Sequence, residues 1–352
     1  MNLGKFLFVG SLVGVTSLSA IDLKDNVTPI GGFQHGRFRQ DTNLNFPGVD
    51  STGTFETDVL VTDQVESRVD LAVAGFEARF VVPELSCLSE YAFLSNLYLV
   101  GHAIWGWNDG NKFSERAFLN LPTNMSAPDS YENTYFLAKG KLKKARSYDF
   151  VIGLGYLFEF GDWQCMPEMF KDWAIGVGGG YSFHKQTLQT KNANSGEFST
   201  CTESAIYVYD DPAYHDTKFH NKWNGGWVGG EILYKTCKWE LDLIYQYHIV
   251  EFRGINNTSP AGLLSGYQDV SLRTNTAHGN TWKAKLKYYL STSWSVGTVF
   301  TYEYWHAKHG SFRVTAPSGE SIESIYGTDK YSTSINASWD SYSIVATLGF
   351  DF

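Results

Sequence analysis

Apolar and polar residues alternate along much of this chain with a period of two. In the last twelve residues, Tyr342, Ile344, Ala346, Leu348, Phe350 and Phe352 fall on one side of the alternation. Ser341, Ser343, Val345, Thr347, Gly349 and Asp351 fall on the other. A period of two places such sets on opposite faces of a β-strand. The pattern recurs upstream. Trp282, Ala284, Leu286, Tyr288 and Leu290 alternate with Lys283, Lys285 and Lys287. Trp294, Val296, Thr298, Phe300, Tyr302 and Tyr304 alternate with Ser295, Gly297, Thr301 and Glu303. Trp239, Leu241, Leu243, Tyr245, Tyr247 and Ile249 alternate with Glu240, Asp242, Gln246 and His248. Phe150, Ile152, Leu154, Tyr156, Phe158 and Phe160 alternate with Asp149, Val151, Gly153, Gly155 and Glu159. Past residue 20 no apolar run reaches the length of about 18 residues that a membrane helix needs. The chain therefore reads as all-β.

Period two fits two architectures. In a soluble sandwich the apolar set forms the core; in a lipid-embedded barrel it faces outward and the polar set lines the lumen. Trp239, Trp282, Trp294 and Trp305 stand near strand ends and read as interface girdles, which favours the barrel. Small and charged residues on the opposite face suit a narrow interior. The predicted strands are about 29–40, 67–82, 91–107, 133–160, 172–189, 219–234, 239–252, 278–290, 294–312 and 341–352. Short turns at 83–90, 161–171, 235–238 and 291–293 would be periplasmic. Long loops at 41–66, 108–131, 190–218, 253–277 and 313–340 would be external. The expectation is a transmembrane antiparallel up-and-down barrel of ten strands, with twelve as the alternative count.

Residues 133–147 test the parity. A separate strand there would make eleven, so the segment reads as an external extension of the fourth strand. Its Lys139, Lys141, Lys143, Lys144 and Arg146 suit a strand projecting beyond the lipid. In the second strand the apolar set switches from Val69, Leu71 and Val73 to Phe76, Ala78 and Phe80, and a bulge near Gly75 would account for the switch.

Met1–Ala20 places one Lys, Lys5, before an apolar stretch and ends in small residues, the pattern of a secretory signal peptide. Residues 21–352 would then be the barrel, in the outer membrane of a Gram-negative-type envelope. Composition agrees. Aromatics make up 16% of the 352 residues and charged residues 18%, with 34 Gly and 9 Pro, a profile that excludes disorder. The net charge of -9 excludes a nucleic-acid binder, which needs a basic face.

The closing strand, with Phe352 last, resembles that of bacterial outer-membrane barrels, and the resemblance implies that the barrel assembly machinery reads this aromatic. Ten strands that outrun the membrane, with five long loops, resemble the omptin family of outer-membrane proteases. The segments DWAIGVGGGYSFHKQTLQT, GGWVGGEILYKTCKWELDLIYQYHIVEF, TWKAKLKYYLSTSWSVGTVFTYEYWHAKHGS and SYSIVATLGFDF follow that family's order and spacing. The likeness covers about residues 67–352. The chain is also similar to outer-membrane proteins of environmental chlamydiae, whose envelopes lean on disulfide cross-linking.

The omptin resemblance implies an Asp pair after the third strand and an Asp–His pair after the seventh, which together activate a water. The sequence offers Trp107-Asn108-Asp109-Gly110 at the first place, with one Asp. At the second it reads Glu251-Phe252-Arg253-Gly254-Ile255-Asn256-Asn257-Thr258, with neither Asp nor His. An amide cannot take the proton, so no catalytic residue is assigned. A shifted alignment that brought in His306 or His309 is the remaining route to a protease site.

Four other groups are candidates. Arg68, Asp70, Glu77, Arg79, Glu231, Glu240, Asp242, Lys283, Lys285, Lys287 and Glu303 would face the lumen. Barrels of about eight strands are filled and open porins need about sixteen, so paired charges are expected inside ten. Glu240 and Asp242 are candidate partners for the three lysines. Asp210, Asp211, His215, Asp216 and His220 carry donor types that hold a divalent cation, without ligand spacing. Segment 41–66 carries Asp41, Asp50, Glu56, Asp58, Asp63 and Glu66 with no Lys or Arg. Finally, Cys87, Cys165 and Cys237 fall in periplasmic turns and Cys201 in an external loop. Export permits disulfides, and an odd thiol count on one face points to a bond with another envelope protein. No cofactor is expected. The functional expectation is a structural and surface-interaction role, against a small-bore porin and an outer-membrane endopeptidase with a divergent site. The expected partners are outer-membrane lipid, the assembly machinery and that disulfide-linked protein.

Overall fold

The computed structural model describes residues 26–49, 55–81, 96–108, 111–120, 135–159, 172–194, 197–199, 206–208, 218–257, 269–291, 293–315 and 333–351. Fourteen strands follow in order: β1 (Asn26–Val49), β2 (Phe55–Val81), β3 (Leu97–Asn108), β4 (Lys112–Asn120), β5 (Tyr135–Glu159), β6 (Trp173–Asn194), β7 (Glu197–Ser199), β8 (Ile206–Val208), β9 (Lys218–Lys235), β10 (Trp239–Asn257), β11 (Asp269–Tyr289), β12 (Trp294–Lys308), β13 (Ser311–Thr315) and β14 (Thr333–Asp351). The hydrogen-bonded order is β3-β2-β1-β14-β12-β11-β10-β9-β6-β5, and β3 pairs with β5 to close the circle. β4 sits between β2 and β5 as β3 does, and β13 pairs β11 as β12 does, so each prolongs one wall strand. The result is a closed antiparallel up-and-down barrel with ten wall strands. β7 and β8 form a small hairpin beside β5.

Hydroxyl-capped turns fix the register at the periplasmic end. Thr236 Oγ1 accepts from the amide of Trp239 at 3.0 Å, and Ser291 Oγ from the amide of Trp294 at 3.1 Å. Each turn delivers a tryptophan outward as its strand begins. From there Leu243, Ile249, Leu286, Phe300 and Ile344 project from the wall, Ile249 with 63% of its surface uncovered. Apolar surface on this scale does not stand in water on a monomer; lipid is its solvent.

Crossing the hydrocarbon takes about 9–11 residues of a tilted strand, whereas β2 has 27 and β5 has 25. The wall therefore continues well outside. Much of segment 41–66, expected as loop, belongs to β1 and β2. β4, the ends of β10 and β11, β13 and the start of β14 likewise occupy other expected loops. β5 runs unbroken through the basic stretch that contains Lys141 and Lys144.

Beyond the lipid the burial pattern inverts. Phe38, Val65, Leu142, Leu188, Phe219, Trp223, Phe252, Leu272, Trp305 and Trp339 point inward and are fully buried, while Arg37, Arg39, Arg68, Lys222 and Arg253 point outward. The external half is a water-soluble barrel with an apolar core. This corrects three expectations. Trp305 is not a girdle residue; it fills the interior. No bulge exists near Gly75, because β1 and β2 stay in register from Val27↔Ala78 to Gly48↔Thr57. Val69, Leu71 and Val73 share the inward face with Glu77 and Arg79. Arg68 and Asp70 consequently face outward and do not line the lumen. At Gly36 the core leaves room for no side chain: a Cβ there would collide with the Trp339 ring.

Candidate functional site: the layered interior

The interior is built in three layers. The lowest is ionic. β11 presents Lys283, Lys285 and Lys287 at alternate positions, and the adjacent β10 together with the more distant β2 supply their anions. Lys287 Nζ lies 2.9 Å from Glu240, and Lys285 Nζ lies 2.8 Å from Glu77 and 4.0 Å from Asp242. Lys283 Nζ is 3.4 Å from Glu77. Arg79 ion-pairs with Glu231 and, at 3.4 Å, with Asp242, and its guanidinium lies over the Tyr98 ring. The Tyr289 hydroxyl donates to Glu240. Charges taken out of water persist only when paired in this way.

The middle layer is imidazole and carboxylate. His102 Nε2 is 2.6 Å from Asp149 Oδ2, and its Nδ1 is 3.1 Å from Lys283 Nζ. An ammonium only donates, so Nδ1 accepts and the ring proton sits on Nε2, facing the carboxylate. On the adjacent strand β6, His184 is the direct cross-strand partner of Asp149, and its Nδ1 stands 3.7 Å from the other carboxylate oxygen. His248 is held between the hydroxyls of Ser182 at 2.9 Å and Thr281 at 3.2 Å. Ser341 donates to Glu303 at 3.1 Å, and Gln34 donates to Ser341. Asp149, His184, Lys283 and Glu303 line a cavity of about 20 Å³, room for about one water molecule.

The upper layer is aromatic. Trp305 stacks on His184 at 5.5 Å and meets His248 at 4.6 Å. Trp223 packs on Phe252 at 4.4 Å and on Trp305 at 6.2 Å, while Trp339 meets His184 at 5.9 Å. Side chains from β6, β9, β10, β12 and β14 thus meet across the lumen as a plug.

Nine of the eleven residues expected in the lumen face it: Glu77, Arg79, Glu231, Glu240, Asp242, Lys283, Lys285, Lys287 and Glu303. Arg68 and Asp70 do not. Arg68 pairs with Glu66 at 3.0 Å and Asp70 with His35, both on the outer face. His102 and His184 were not singled out from sequence, although both sit at inward parity in their strands. Their signal was an imidazole at an inward position of a lipid-spanning strand. The alternation puts Asp149 and His248 at inward parity as well, and gives them no role.

Of the residues offered as metal ligands, Asp210, Asp211, His215 and Asp216 lie outside the described residues. His220 contacts Thr187 Oγ1 at 3.2 Å, and burial together with Lys185 and Lys218 lowers its pKa. No cluster of three or more ligating side chains occurs among the described residues. Asp109, Cys87, Cys165, Cys201 and Phe352 also lie outside them. Cys237 is an exposed free thiol in the β9–β10 turn. Of the acidic segment, Glu66 is held by Arg37 at 2.7 Å and Asp41 by Arg39 at 3.1 Å. Glu251, after the seventh wall strand leaves the lipid, is gripped by Arg253 at 2.9 Å and Arg273.

Sequence comparison adds one match. The profile of the Protochlamydia outer membrane protein family covers residues 81–352. The chain belongs to this family. The protein is accordingly an outer-membrane barrel of the Protochlamydia outer membrane protein family. No curated protein matches it. Among solved structures it is similar to the outer membrane protease OmpT of Escherichia coli, with a TM-score of 0.61 and 11% identity over 96% of this chain and 100% of that one. That likeness is one of fold. A Pseudomonas aeruginosa FadL homologue gives a TM-score of 0.26 at 9% identity, over 94% of this chain and 91% of that one. The P. putida toluene transporter TodX gives 0.20 at 9%, over 92% and 90%.

Proposed function

We propose that this member of the family is a closed barrel with a structural and surface-interaction role in the envelope. The observation that carries the reading is the layered interior. An ion crossing it would have to break the Lys–Glu and Arg–Glu pairs of the lowest layer and then pass fully buried tryptophans. Proteolysis is disfavoured on two counts. Glu251 is engaged by two arginines where the omptin resemblance calls for an Asp–His pair, and the buried His102–Asp149 pair lies beneath the aromatic plug, away from any peptide. Planar-bilayer recording on refolded protein tests the reading. Silence at both polarities is expected, and discrete conductance steps would establish the small-bore porin instead. Cleavage of basic peptides would establish the endopeptidase.

The exposed thiol of Cys237 supports a second part of the same proposal, a disulfide to another envelope protein on the periplasmic side. In native envelopes a Cys237-dependent, reductant-sensitive band above the monomer is expected on non-reducing gels. A monomer band indifferent to reductant counts against it.

A further inference from the structure

On the outer face, β11 and β12 carry two histidines as direct cross-strand neighbours, His278↔His306. Their ring centres are 5.6 Å apart with the planes at 88°. Both side chains are half-buried, so solvent reaches them. Tyr247 lies beside His278, with ring centres 6.3 Å apart and planes at 27°, and Tyr304 flanks His306 at 6.0 Å. The pair stands on the outer face between an aromatic stretch and a charged one. Trp282 and Tyr302 lie below it on the same strands, and Arg273 and Lys308 above it.

We infer that His278 and His306 form a zinc-binding site on the outer surface of the barrel. With metal–nitrogen bonds of about 2.1 Å, two imidazoles in a tetrahedral shell have ring centres roughly 5.3 Å apart. The observed spacing of 5.6 Å lies within a few tenths of an ångström of that value. A cis pair in a square plane brings the centres closer still, which favours zinc over copper(II) geometry. The other two coordination positions are open to water or to an anionic group at the membrane surface, which makes this an open site. Because the ligands sit on adjacent strands, bound zinc ties the wall together between β11 and β12.

The test is histidine footprinting with diethyl pyrocarbonate on the refolded full chain in detergent, with and without zinc, read peptide by peptide by mass spectrometry. Zinc is expected to protect His278 and His306 together, and H306N is expected to abolish protection at His278 as well. Unchanged modification on adding zinc, or protection of one ring alone, overturns the inference without recourse to any variant. Calorimetric titration with zinc supplies the second readout. One ion per chain is expected, with affinity falling about tenfold or more in H278N or H306N, since even outer-shell changes at metal sites cost that much. A double variant that binds zinc as the parent does overturns the site.

Discussion

The imidazole of His184 lies against the indole of Trp305, with ring centres 5.5 Å apart and planes within 17° of parallel. This contact is where the polar middle layer meets the aromatic plug. One side of His184 addresses the Asp149 carboxylate and the other seals the apolar core above it. A side chain with a polar edge and an apolar face is suited to that boundary.

Trp305 is the centre of the plug, touching His184, His248 and Trp223. Trp305→Ala empties a volume that the rigid barrel wall cannot collapse into, so a loss of about 3–5 kcal/mol is expected. Urea unfolding of the refolded barrel measures it. A loss near zero would mean that the indole is not packed as described.

Arg79 serves two buried carboxylates, Glu231 and Asp242. Arg79→Met leaves both without their guanidinium and is expected to cost about 3–5 kcal/mol. Adding Glu231→Gln removes one of the stranded charges and is expected to restore part of that loss. A double-mutant cycle on unfolding free energies checks the coupling, and strict additivity would contradict the pairing.

Leu243 projects from the wall within the lipid belt, 44% uncovered by protein. Leu243→Arg is expected to destabilise the inserted barrel by about 2–4 kcal/mol, the range for a charge near the bilayer midplane. Reversible folding into liposomes gives the number. A soluble sandwich would hide this residue in its core, and the variant would then fail to fold at all.

Glu66 sits outside the lipid on β2. Burial raises its pKa, but hydrogen bonds from Arg37 and Arg68 outweigh that effect and leave it below the ordinary value of 4.5. A carboxylate whose folded-state pKa is depressed stabilises the fold above its unfolded value, and loses that contribution as pH falls through the folded one. Glu66→Gln is therefore expected to flatten the stability decline below about pH 4.5. At neutral pH it should cost only about 0.2–1 kcal/mol, because the pair is largely solvated. Unfolding midpoints from pH 3 to pH 7 test it.

The ten-strand wall was legible in the sequence because lipid imposes a strict rule on strands: one face apolar, the other not. Trp239 to Ile249 and Trp294 to Phe300 obey it, and their outward faces are as read. Parity likewise placed Lys283, Lys285 and Lys287 inward and named Glu240 and Asp242 as candidate anions. Sequence could not reveal that Glu77 and Arg79, far away on β2, complete the same layer, because barrel closure sets that contact.

The alternation by itself determined that the chain forms strands and which side chains share a face; the tryptophans at the strand ends pointed to the membrane. Tertiary structure decided where that face reverses its meaning. Val69, Leu71 and Val73 form as regular an apolar stripe as Leu241 and Leu243, yet the first set is core and the second meets lipid. The stripe is the same; the solvent outside the wall changes from hydrocarbon to water along a single strand. Apolar residues follow whichever side lacks water, so Arg68 and Asp70 turn outward while Trp305 and Trp339 turn in. Only the height of each residue relative to the bilayer, set by strand length, tilt and closure of β3 onto β5, separates the two cases.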